Sequence, residues 1–168
     1  MDWELIFRKH SPGVYQYLLT LSGNNQEAED LLQETFIRAM RSISSLREPD
    51  KIHSWLMTIA RNLFLDHRKK RLRRNTDSIE DSLAETVNQA SGAESPEDFT
   101  IRSDFMSSLR DTLKNLSETY RTAFTLGVMQ GLSYQEVAEI TGWSSAMVKS
   151  NIFRARKKVA DAMIEFQR

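Results

Sequence analysis

The chain of 168 residues contains no cysteine. That excludes disulfides, thiolate zinc sites and a thiol nucleophile, and makes a reducing compartment, the cytoplasm, the expected one. Glycine and proline are scarce, at six and three residues, and β-branched alternation is missing. Few chain breakers and no period-two pattern argue against a sheet. No apolar run approaches the ~18 residues of a membrane span. The amino-terminal stretch MDWELIFRKH lacks the basic start, apolar core and small-residue cleavage site of a signal peptide. The three histidines are His10, His53 and His67, and no HExxH, phosphate-cradling glycine loop or nucleophile motif surrounds them. Asp66 and His67 are neighbours on a helical stretch, so they point ~100° apart and do not converge as an acid/base pair. No catalytic residue, metal site, cofactor or small-molecule substrate is expected.

Net charge is absent too, with 23 basic and 23 acidic residues, but the balance is global only. Residues 1–74 carry +4, residues 75–98 carry −7 and residues 99–168 carry +3. Residues 61–74 hold seven Arg or Lys against one Asp, and residues 149–158 hold five basic residues and no acid. Two basic patches separated by an acidic stretch suit a polyanionic partner better than the total suggests.

Apolar residues recur every three or four positions, which predicts an all-α chain. A first helix spans 3–21, with Pro12 and Gly13 marking a bend and Gly23 closing it. A second spans 26–45, with Leu31, Leu32, Phe36, Ala39, Met40 and Ile43 on its inner side. Asp50 caps a third, which runs to about Arg73 on a stripe of Ile52, Trp55, Leu56, Ile59 and Leu63. Residues 75–98 are rich in Ser, Asn, Asp, Glu and Ala. They read as a flexible acidic linker, although the spacing of Ile79, Leu83 and Val87 also fits a short helix. Two small helical domains, 1–74 and 99–168, follow. In the second, helices over 97–115 and 118–130 precede Gly131. The run Ser133-Tyr134-Gln135-Glu136 is a capping box for a short helix to Thr141. Gly142 ends it, and Ser144 or Ser145 caps a last helix over 145–166. Short helix, glycine turn and long basic helix make a helix-turn-helix.

At ~100° per residue, Val148, Ile152, Ala155 and Val159 of the last helix share a narrow arc. Lys149, Ser150, Phe153, Arg154 and Lys157 fall outside it, where a recognition helix presents phosphate- and base-contacting side chains. In the third helix Arg61 and Arg68 lie opposite the apolar stripe, Asn62 lies at its edge, and a basic run covers 67–74. Seven basic residues exceed what a helix C-terminus needs to complement its dipole. The polar loop before Trp55 suits an unstacked base, but Trp55 itself sits on the apolar stripe and reads first as core. The second helix places Glu27, Glu29, Asp30, Gln33 and Glu34 before Arg38 and Arg41, interleaved with Leu32, Phe36 and Ile37. The order fits the helix dipole, and the mixed surface fits a protein partner.

The segments AEDLLQETFIRAM (28–40), SWLMTIARNLFLD (54–66), GLSYQEVAEI (131–140) and KSNIFRAR (149–156) together resemble small bacterial RNA polymerase sigma factors of the extracytoplasmic-function group. The turn-plus-helix part alone also occurs in response-regulator output domains; the first two segments do not. The resemblance covers nearly the whole chain. It implies a promoter-specificity subunit that has no catalysis of its own. The implied partners are core RNA polymerase, through its β′ clamp helices and β flap, promoter DNA, and an anti-sigma factor, often membrane-anchored. By resemblance, Asp30, Gln33, Glu34, Phe36 and Arg38 dock on the polymerase. Arg47, Lys51, His53, Ser54, Trp55, Arg61, Asn62 and Arg68 belong to the part that melts and holds the -10 element. Lys149, Ser150, Phe153, Arg154, Arg156 and Lys157 match the region that reads the duplex -35 element. Lys149 and Asn151 stand where many relatives carry Arg, so the preferred -35 bases do not transfer. The linker, by resemblance, threads the channel that holds template and nascent RNA; its acids can also shield the basic patches. A rival reading is a stand-alone helix-turn-helix regulator, dimeric on duplex DNA, with residues 1–74 as a sensory or dimerisation domain. That reading leaves the basic third helix without a task.

Overall fold

The computed structural model describes residues 1–77 and 98–166. Most of the expected acidic linker, with Ile79, Leu83 and Val87, lies outside the described residues. Every regular element among the described residues is helical. The chain divides into two compact units, Met1–Gln89 and Ala90–Arg168.

The first unit is built on α1 (Trp3–Ser22), α2 (Asn25–Arg41) and α3 (Ile52–Asp77), each packed on the other two. The Asp2 carboxylate accepts from the Leu5 N–H at 3.2 Å and starts α1. The helix runs unbroken through Pro12. Gly23, at φ 66°, turns the chain, and Asn24 caps α2 through the Glu27 N–H. Val14, Tyr17 and Leu18 of α1, Ala28, Leu31 and Ala39 of α2, and Leu56, Met57 and Ala60 of α3 are fully buried.

Three expectations about these helices are corrected. The second helix ends at Arg41, four residues early, because the Ser42 hydroxyl donates to the Arg38 carbonyl at 2.8 Å; Ile43–Ser45 is then a separate 3-10 turn. A second 3-10 turn, Pro49–Lys51, leads into α3, so Asp50 is not its cap. The buried stripe of α3 is Leu56, Met57, Ala60, Leu63 and Phe64, with Trp55 and Ile59 only half-buried; α3 also runs on to Asp77. A stripe that must meet two neighbouring helices is wider than a single three-four ladder, and Ala60 lets the backbones approach.

The second unit comprises α4 (Asp98–Asn115), α5 (Glu118–Phe124), α6 (Tyr134–Thr141) and α7 (Ser145–Phe166). The expected continuous helix to residue 130 changes to a π turn at Thr125–Met129. Gly127 lies in that turn, and a Cβ there would stand 2.5 Å from Cδ1 and 2.9 Å from Cγ1 of buried Ile152 on α7. The widened turn and the bare glycine let the two backbones come close. The capping box is made in full. Ser133 Oγ accepts from the Glu136 N–H at 3.1 Å, and the Glu136 carboxylate accepts from the Ser133 N–H at 2.8 Å. Gly142, at φ 76°, ends α6, and Ser144 caps α7 through the Met147 N–H at 3.2 Å. Val148, Ile152, Ala155 and Val159 are all buried, as their spacing predicts, on a helix that packs against α4, α5 and α6.

Candidate nucleic-acid interface

The outer face of α7 is set by its inner one. With Val148, Ile152, Ala155 and Val159 fixed against α5 and α6, a rotation of ~100° per residue carries Lys149, Phe153, Arg156 and Lys157 to a common outer sector. All four are exposed, Ser150 beside them is half-buried, and Arg154 is exposed on the flank. Phe153 is 69% exposed, an aromatic ring standing in water between cations. Tyr134, from the first turn of α6, joins Lys149, Ser150, Phe153 and Arg156 around one shallow depression. The chemistry offered is point-charge and fork donors for phosphates or guanine edges, a hydroxyl, and an apolar ring for a thymine methyl. Lys158 differs from its neighbours: its ammonium lies over the Tyr120 ring at 5.6 Å.

The first unit keeps its polar groups closer to itself. On α2, Asp30, Gln33 and Arg38 are exposed. Glu34 is half-buried between Arg38 at 3.5 Å and His67 of α3 at 3.7 Å. Phe36, expected on the docking surface, is buried, its ring edge-on to Phe7 at 4.8 Å between centroids. The apolar groups that α2 does expose are Ile37 and Met40, on the same side as Asp30 and Gln33. Ile37 was visible in the interleaved pattern. Met40, expected on the inner side, is exposed, while Thr35, whose hydroxyl donates to the Leu31 carbonyl at 2.6 Å, is buried.

Along α3 the expected strand-holding residues separate into two groups. Trp55 and Asn62 are seven apart, hence on nearly the same bearing, and exposed Lys69 continues the line. Trp55 is half-buried and its indole N–H donates to Ser45 Oγ at 3.3 Å, so the ring is steadied by the loop before it. Arg47 of that loop is exposed and Lys51 half-buried. Ser54, His53 and Arg61 turn inward. Ser54 is buried and its hydroxyl donates to the Lys51 carbonyl at 3.1 Å. His53 Nδ1 lies 3.0 Å from His10 Nδ1, and Arg61 Nη1 donates to Tyr17 Oη at 3.2 Å. Ser54 is thus corrected from a strand contact to a buried residue hydrogen-bonded within its own turn. His53 and Arg61 were assigned outward because their partners on α1 are more than 40 residues away and no local pattern names them. Arg68 is half-buried over the Phe64 ring at 5.6 Å. Arg71 donates to Glu27 of α2 at 3.3 Å, while Lys69, Lys70, Arg73 and Arg74 are exposed.

Among the described residues no group of three or more His, Asp or Glu side chains is disposed to hold a metal. Nor is any helix there long and apolar enough to cross a membrane.

Residues 6–74 match the family described as Sigma-70 region 2, and residues 106–159 match Sigma-70, region 4. The chain is 36% identical over 161 residues to the ECF RNA polymerase sigma factor SigM of Bacillus subtilis, covering 95% of this chain and 93% of that protein. This chain belongs to the ECF group of RNA polymerase sigma factors. It is 34% identical to the ECF sigma factor SigE of Mycolicibacterium smegmatis, across 95% of its own length but 61% of that relative's. Among solved structures it is similar to the sigma factor RpoE bound to the anti-sigma factor NepR from Bartonella quintana. That likeness has a TM-score of 0.77 at 26% identity and covers 96% of each chain. The two matched regions take in the two faces described above: the sigma factor's α2 and its α3 as far as residue 74 fall in the first, and its α6 and its α7 as far as residue 159 in the second.

Proposed function

We propose that the two units divide promoter recognition between paired and unpaired DNA. Residues 1–74 dock the sigma factor on core polymerase and hold the -10 strand, residues 75–98 connect, and residues 99–168 read the duplex -35 element and meet the β flap. On α2, Asp30, Gln33 and Arg38 with Ile37 and Met40 form the surface for the β′ clamp helices, with Glu34 bridging back to α3. On α3 and its loop, Arg47, Lys51, Trp55, Asn62 and Arg68 contact the opened strand. On α7, Lys149, Ser150, Phe153, Arg154, Arg156 and Lys157 contact the duplex. The observation that carries this is the α7 face, where cations and an exposed Phe153 stand together on the side opposite a fully packed seam.

Phosphoryl transfer stays with the polymerase, and the sigma factor supplies only binding energy. That energy must offset the few kcal/mol of unstacking a base. The relative bound to NepR supports control by an anti-sigma protein, free or held at a membrane, with the sigma factor itself in the cytoplasm and at the nucleoid when active. The seven acids of residues 75–98 either enter the RNA channel or shield the basic patches. Changing Asp77, Glu80, Asp81 and Glu85 to Asn or Gln alters abortive product release in the first case and leaves it unchanged in the second. The whole proposal is tested by gel filtration with core polymerase followed by run-off transcription. Co-elution and defined start sites support it; no co-elution removes it.

A further inference from the structure

We propose that α1 is the positioning helix of the strand-holding face, acting through two hydrogen-bonded contacts, Tyr17 to Arg61 and His10 to His53. On this view Arg61 and His53 do not touch the strand; they set the rotation and register of α3, whose Trp55, Asn62 and Lys69 do. The inference rests on the -10 role proposed above.

The buried side of α1 carries His10, Val14, Tyr17, Leu18 and Leu21. Three of these are ordinary apolar packing, which is non-directional and tolerates sliding and rotation of one helix on another. The other two carry polar atoms, and each meets a side chain of α3. Tyr17 is fully buried, yet its hydroxyl accepts from Arg61 at 3.2 Å. His10 is 8% exposed and its Nδ1 is 3.0 Å from that of His53, with ring centroids 5.1 Å apart. One imidazole donates and the other accepts, so the neutral pair is self-consistent. Positions 53 and 61 lie about two turns apart along α3, and positions 10 and 17 about two turns apart along α1. Two directional contacts at that separation leave a helix neither free rotation nor free translation. A rotation of ~10° would move a side-chain tip standing ~6 Å from the helix axis by about 1 Å. That is already beyond the ~0.5 Å tolerance of a preorganised site. The same two contacts explain why a fully buried tyrosine and an imidazole pair sit where leucines would pack.

The test is a double-mutant cycle in reconstituted holoenzyme, read as affinity for a single-stranded -10 oligonucleotide and as permanganate reactivity of the opened promoter. Tyr17→Phe removes one oxygen. It is expected to weaken strand binding about three- to ten-fold, leave duplex -35 binding unchanged, and leave the salt slope unchanged. In an Arg61→Ala background it is expected to add nothing further. His10→Phe, alone and in a His53→Ala background, is expected to give the same pattern. A stability-matched core variant, Leu18→Val, controls for folding and should bind strand normally well below its melting temperature. The proposal is overturned if Tyr17→Phe is silent, if the two losses multiply, if Leu18→Val reproduces them, or if Arg61→Ala lowers the salt slope by the ~0.7 expected of a lost single-strand phosphate contact. A wild-type holoenzyme that opens no promoter would instead remove the underlying -10 reading.

Discussion

The two helices proposed to meet DNA, α3 and α7, are built in opposite ways. On α7 the inner arc is a single ladder of four apolar residues, and the outer side chains stand exposed in the described structure. On α3 the inner stripe is wide, and much of the polar complement is tied to neighbouring helices: Arg61 to Tyr17, His53 to His10, Arg71 to Glu27 and His67 to Glu34. A duplex is a stiff, regular target, so a reader can leave its side chains mobile and let the groove order them. An opened strand has no fixed shape, so its holder must bring the shape. The difference predicts that a change on the outer face of α7 costs only the contact that side chain makes with the duplex, whereas α3 loses function when contacts behind its face are cut.

The comparison is most severely tested through the packing that α7 depends on. Ile152→Ala is expected to destabilise the second unit by about 2–5 kcal/mol, and Gly127→Ala, which drives a Cβ into Ile152, by about 1–3 kcal/mol. Chemical denaturation of the full chain, followed by a probe in each unit, should show the loss in the second unit alone. Next in size is recognition itself. Arg154→Ala should weaken duplex -35 binding by about 1–3 kcal/mol if it reads a base, with strand affinity unchanged. Smaller again is the salt response of α3. Lys69→Gln should lower the salt slope of single-strand binding by about 0.7, and Arg71→Gln by less, because Glu27 already engages that guanidinium.

The smallest effect is a pH dependence. Burial first, then His53 and Lys9, hold the His10 imidazole below its ordinary pKa of 6.5. The unfolded chain therefore binds this proton more readily than the folded one, so the contribution is present above pH 6.5 and is lost as pH falls below it. Melting curves of the wild type between pH 7.5 and 5.5 should show the drop, and His10→Phe should flatten it.

Legibility from sequence followed the range of the interaction. The capping box at Ser133, the left-handed glycines 23 and 142 and the α7 ladder are local, and residues within five positions specify each of them. The π turn was not legible, because the need for it comes from Ile152, 25 residues after Gly127. The split on α3 was not legible either. Arginine and histidine on a half-apolar helix look outward-facing until a buried tyrosine and a second histidine arrive from α1. On α2 the periodicity places Leu31, Phe36 and Ala39 inside correctly but also Met40, which is exposed; buried Ala28 and Thr35 carry little hydrophobic signal and are not legible as seam.

The most direct test of a division between paired and unpaired DNA is a footprint on one promoter with three holoenzymes: wild type, Asn62→Ala and Arg154→Ala. The account predicts that Asn62→Ala keeps -35 protection while the -10 thymines lose permanganate reactivity, and that Arg154→Ala loses the -35 protection first. Equal loss of both signals in both variants would contradict it.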